Sequence, residues 1–119
     1  GSVYSPYGKL GESMPHPRSY GTMPRFFGKY VRDEKLMNLE TAIHKVTALP
    51  ASRLALKERG LLIPGYYADI VVFNPETIID RATFAEPHQF AEGVEHVIVN
   101  GVWTIKNGKP TNDMGGMLL

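Results

Sequence analysis

At 119 residues, the chain is long enough for one small domain and holds only about half of the ~250 residues typical of a (β/α)8 barrel. Thirteen basic against twelve acidic side chains argue against a general nucleic-acid binder, which carries a clustered basic surface. The lack of cysteine excludes disulfides and thiolate metal ligands, no apolar run is long enough to span a membrane, and no charged-then-apolar leader opens the chain, so a cytoplasmic location fits.

Residues 1–18 carry Pro6, Gly8, Gly11, Pro15 and Pro17 without an apolar period, which predicts a long loop. A helix is expected over 22–33, with Thr22 as N-cap and Pro24 in its first turn. Phe26, Phe27, Tyr30 and Val31 share one side of it. Arg25, Lys29 and Arg32 share another, read as a solvated basic face. Asn38 caps a second helix over 39–48, with Glu40 in the first turn, where it suits the helix dipole. Its Leu39, Ala42, Ile43 and Val46 follow the helical i, i+3, i+4, i+7 template. Pro50 ends that helix and opens a short one, PASRLAL.

Pro64-Gly65 has the order of a type II turn, and Asp69 to Phe73 reads as a strand buried on both faces or nearly so. Residues 76–93 are irregular. His96 to Ile105 then predicts two strands around Asn100-Gly101, a strong hairpin signal, with a second turn at Lys106–Lys109. Trp103 is expected in the core, and the closing residues 114–119 as a loosely held tail. The switch from loop and helix to strand and tight turn places a domain boundary near residue 58, giving segments 1–58 and 59–119.

Three stretches carry a family resemblance. They are PHPRSYGTMPRFFGKYVRDEK, then LMNLETAIHKVTALPASRLALKERGLLIPGYYADIVVFNP, then VEHVIVNGVWTIKNGKPT. Together they resemble the C-terminal end of the amidohydrolase superfamily. PHPRSYGT with DRATFAEPHQF is most similar to its N-acyl-D-amino-acid deacylases (D-aminoacylases). The resemblance implies an α+β fragment: the last loop and helices of a (β/α)8 metal-dependent hydrolase barrel, followed by strands of a small β-sandwich domain. It also implies that the strand after Ala68-Asp69 returns the chain to that small domain, with Asp69 serving backbone donors beside it and not acting as a catalyst.

In such enzymes a divalent metal, usually zinc, lowers the pKa of a bound water and polarises the scissile carbonyl, while an Asp after the last barrel strand moves the proton. None of the family's His-x-His pair is present, and His16, His44, His88 and His96 are widely separated. Metal-ligating and catalytic residues are therefore expected to be absent, with the zinc of the parent enzyme bound elsewhere and this chain alone inactive. If Gly1-Ser2 closes the Ser-Asp-Gly-Ser motif of the deacylases, the catalytic Asp lies immediately before it.

His16 and Arg18, in the loop the resemblance places at the barrel mouth, are the candidate substrate contacts. Arg binds a carboxylate bidentately, and an N-acyl amino acid presents one. The bland alternative has Arg18 pairing with a structural acid and His16 holding the loop. Tyr4, Tyr7 and Tyr20 line the same loop or pack it, and His44, His88 and His96 are read as structural or surface residues. No nucleic-acid or membrane partner is expected. Helices 22–33 and 39–48 need a barrel or another chain to cover their apolar faces. The competing functional readings are a stand-alone non-catalytic module and the tail of an amidohydrolase acting on a cyclic amide.

Overall fold

The computed structural model describes residues 5–118. It is a small α+β arrangement whose contacts group into two units: the described residues up to Lys35 with Pro75–Gly93, and Leu36–Asn74 with the chain from Val94 onward.

In the first unit a short 3-10 turn, Gly8–Gly11, interrupts the opening loop, and helix α1 spans Arg18–Arg25. The helix starts four residues before the expected Thr22. Pro17 already holds helical angles (φ −49°, ψ −29°) and lies where a missing N–H costs nothing. Thr22 instead turns its hydroxyl back to the Arg18 carbonyl at 2.7 Å, the usual role of a threonine inside a helix. Pro24 thus sits in the helix interior, where it removes one intrahelical donor. Beyond it the chain widens into a π-helical segment, Phe26–Asp33, ending with the Glu34 N–H on the Lys29 carbonyl at 2.9 Å.

The apolar side of this segment buries Phe27 and Val31, and its partners in the core of the unit are Ile78 and Ala82 from the irregular 75–93 stretch. Gly28 permits the approach, since a Cβ there would fall on the Ile78 carbonyl. The basic stripe is not the freely solvated face expected. Arg25 pairs with Asp80 at 3.2 Å, Lys29 with Glu34 at 3.6 Å and Arg32 with Asp33 at 2.8 Å. Arg32 also donates to the Ile78 and Pro75 carbonyls at 2.7 and 3.4 Å, stitching the irregular stretch to the helix. A loop without ladder partners must satisfy its carbonyls in this way.

In the second unit, α2 (Leu39–Val46) is capped as expected: the Asn38 side chain accepts from the Thr41 N–H at 2.9 Å. Ala42 is fully buried, whereas Ile43 at the stripe's edge is 38% exposed. Thr47, with φ −125° and ψ −89°, breaks the helix. Helix α3 (Ala48–Arg53) begins two residues before Pro50, which therefore lies in its first turn, where no N–H is needed.

The Ile63 carbonyl accepts from the Tyr66 N–H at 3.2 Å across Pro64-Gly65, with Gly65 at φ +90°, as a type II turn requires. Strands β1 (Ile70–Phe73), β2 (Val94–Val99), β3 (Val102–Lys106) and β4 (Lys109–Pro110) form one antiparallel sheet in the order β1-β2-β3-β4. Ile70 faces Ile98, and Val99 faces Val102. Both connecting turns, Asn100-Gly101 and Asn107-Gly108, have φ > 0 at each residue, the geometry that matches strand twist.

Two expectations fail here. Val71 and Val72, which point to opposite faces of β1, are 55% and 41% exposed, so the strand is not buried on both sides. Trp103 is 41% exposed and not a core residue: its ring meets the edge of His96 at 5.2 Å and lies under the Lys106 ammonium. The tail is also less free than expected at one point. Gly115 is buried beside Val99 and Val102, although Met114 and Leu118 are open to solvent.

Candidate substrate-contact site

The Pro15-His16-Pro17-Arg18 segment has rigid φ at two of its four residues, which aims the intervening side chains before any tertiary contact is made. The His16 Nδ1 accepts the Arg18 N–H at 3.1 Å, satisfying one of the orphan donors that open α1. Nδ1 therefore carries no proton in this arrangement. The His16 ring stands edge-on to Phe84 with centroids 5.0 Å apart. The Arg18 guanidinium is exposed and has no ion-pair partner among the described residues. It is a planar donor set presented to solvent beside a fixed backbone, suited to a carboxylate.

His88 enters the same site from the 75–93 stretch. Its Nε2 lies 2.7 Å from the Ser13 carbonyl, which only accepts, so Nε2 carries the proton. Nδ1 then accepts from the Tyr20 hydroxyl at 3.0 Å. Desolvation pushes the Tyr20 phenol above its ordinary value, consistent with its acting as the donor. The Tyr20 ring also meets His88 and Phe90 edge-on, at 5.6 and 5.9 Å. Nothing periodic in the sequence links His88 to His16 and Arg18, because His88 lies 68 positions beyond Tyr20. The available signal was DRATFAEPHQF itself, which carries both Phe84 and His88.

The other histidines stand apart. His44 is exposed on α2. The His96 Nδ1 accepts the Asn107 N–H at 3.1 Å, pinning the β3–β4 turn. Tyr7 is 74% exposed, and Gly1, Ser2 and Tyr4 lie outside the described residues.

Among the described residues no group of three or more His, Asp or Glu side chains gathers to hold a metal ion, and both nitrogens of His88 are already engaged. The residues present do not fit a zinc site. No helix is long and apolar enough to cross a membrane among the described residues.

In the second unit a cavity of about 430 Å³ is lined by Val46, Pro50, Leu54 and Leu56, with Arg59 and Asp69 at its wall. That pair is ion-paired, and the Arg59 guanidinium also lies 4.4 Å over the Tyr67 ring. Asp69 spends its other oxygen on the Asn100 N–H at 2.8 Å, and the Gly101 N–H reaches the Ala68 carbonyl at 3.0 Å. Asp69 thus serves a donor 31 residues away and not only its own neighbourhood. Ala68-Asp69 locks the β2–β3 turn in place and leaves no free acid for chemistry.

A family model described as Amidohydrolase family matches residues 9–105. The chain is 42% identical over 111 residues to N-acyl-D-glutamate deacylase of Alcaligenes xylosoxydans xylosoxydans, a match covering 93% of this chain and 23% of that protein. It is 51% identical over 94 residues to D-aminoacylase of the same organism, covering 77% of this chain and 19% of that one. The solved structure of N-acyl-D-glutamate deacylase from Bordetella bronchiseptica, complexed with zinc and a phosphonate inhibitor, matches with a TM-score of 0.80 at 45% identity. That match covers 87% of this chain and 22% of the other. The chain spans about a fifth of the length of the curated relatives it matches. With most of its length matched by the family and the deacylase pattern running through both units, the chain belongs to the amidohydrolase family.

Proposed function

We propose that this chain is the C-terminal portion of a zinc-dependent amidohydrolase that hydrolyses the amide bond of N-acyl-D-amino acids. The observation that carries this reading is the 42% identity to an N-acyl-D-glutamate deacylase across 93% of the chain. In this reading residues 1–58 are the last loop and helices of the (β/α)8 barrel, and 59–119 contribute strands to the small β-sandwich domain. In the same reading the zinc and the catalytic carboxylate belong to other parts of the protein; among the described residues no metal-binding group gathers. Arg18 takes the substrate carboxylate, and His16 fixes the backbone from which Arg18 projects. The exposed Leu54, Leu61, Leu62, Val71 and Trp103 support a chain covered by further protein, because so many open apolar side chains are uncommon on a free-standing domain.

The test is amine release by the full-length protein, loaded with zinc, from N-acyl-D-amino acids and their L enantiomers, beside residues 1–119 alone. Hydrolysis of the D series by the full-length protein and none by the segment is the expected result. Full-length protein that leaves N-acyl-D-amino acids intact while opening a cyclic amide would overturn the reading.

A further inference from the structure

We propose that His88 is a positioning residue for Arg18, an inference that rests on the reading of Arg18 as the carboxylate contact. One imidazole ties two points of a single loop-to-helix junction. Its Nε2–H donates to the Ser13 carbonyl at 2.7 Å, and its Nδ1 accepts from the Tyr20 hydroxyl at 3.0 Å. Between these points lie Pro15, which is buried, and His16, which caps the Arg18 N–H and rests on Phe84. Phe84, His88 and Phe90 come from the same short stretch, so a single irregular segment clamps residues 13–20 by two polar contacts and by edge-on ring contacts at His16 and Tyr20. Arg18 is the charged residue inside the clamp, and its own guanidinium is unpaired among the described residues. Among the described residues no ion pair fixes the direction of this long, flexible side chain, which is set by the backbone that carries it. Holding that backbone lowers the ordering cost of binding a carboxylate, which appears in KM before it appears in kcat.

The experiment is steady-state kinetics of the full-length zinc-loaded enzyme on an N-acyl-D-amino acid, with Arg18→Ala, His88→Ala, Tyr20→Phe and the doubles of each with Arg18→Ala. Tyr20→Phe removes one oxygen and guards against His88→Ala failing to fold. Loss of one such hydrogen bond corresponds to roughly three- to tenfold in an equilibrium. His88→Ala and Tyr20→Phe are each expected to raise KM by about that factor with kcat within about twofold, and His88→Gln, which retains a donor toward Ser13, to recover part of it. In the Arg18→Ala background neither change should add to KM. KM effects that persist undiminished without Arg18, or equal falls in kcat and stability with KM unmoved, overturn the positioning role. If Arg18→Ala itself leaves KM unchanged, the carboxylate reading fails first, and the inference falls with it.

Discussion

In the sheet of the second unit β2, β3 and β4 are joined by tight turns, and only β1 pairs from across the 74–93 stretch. Asn100-Gly101 and Asn107-Gly108 each turn the chain within two residues, and β2, β3 and β4 pair in succession. The first unit is assembled from strangers: Phe27 and Val31 share a core with Ile78 and Ala82, about fifty residues on, through a stretch that has one isolated bridge, Ile79 to Glu92. Local turn chemistry specifies the former. In the latter, side-chain bonds to carbonyls and the close approach at Gly28 replace a ladder. Damage should therefore travel differently. A turn substitution in the sheet costs a local amount, whereas a core substitution in the first unit loosens both of its segments at once.

Ile78→Ala should break that contrast most severely. Ile78 is 3% exposed, and truncating such a residue costs about 2–5 kcal/mol. Urea unfolding of the full-length protein reads the loss, and hydrogen exchange should show residues 18–33 losing protection along with 75–93. Protection lost around residue 78 alone would mean the two segments do not form one unit. Gly28→Ala comes next, at about 1–3 kcal/mol, because the new methyl meets a backbone carbonyl that has no rotamer to escape into. In the sheet, Gly101→Ala should cost roughly 1 kcal/mol through its φ of +79°, since the space around it is open. Asn38→Ala is expected to cost about 1 kcal/mol by uncapping α2, leaving the sheet untouched.

The same contrast explains what the sequence showed. The hairpin turns, the Pro64-Gly65 turn and the Asn38 cap were legible because their physics is complete within four residues. The start of α1 was not, because Thr22 makes an equally good cap or interior residue, and the choice fell to Pro17 with His16. Trp103, Val71 and Val72 were misplaced because an apolar strand reads as buried whether or not its cover is at hand. At the site, His16 and Arg18 stood out through their proline-framed motif. His88 did not, since its partnership with Ser13 and Tyr20 is made only in three dimensions.

The mildest test concerns the one bridge in the irregular stretch. Glu92 pairs through its backbone with Ile79 and through its carboxylate with Arg81 at 2.5 Å. Arg81 holds the Glu92 carboxyl below its ordinary value, chiefly by hydrogen bonding. A depressed carboxylate contributes stability that is present above its unfolded pKa and is lost as pH falls through the lower folded value. Both side chains are about half exposed, so the contribution is small and weakens in salt. An NMR titration of the Glu92 carboxyl should show a lowered midpoint that Arg81→Ala returns to the ordinary range, while the Ile79 and Glu92 amides keep their exchange protection. An unchanged midpoint in Arg81→Ala would remove the ion pair from the account. Loss of amide protection would instead show that this bridge, unlike the hairpins of the sheet, depends on its side chains to exist at all.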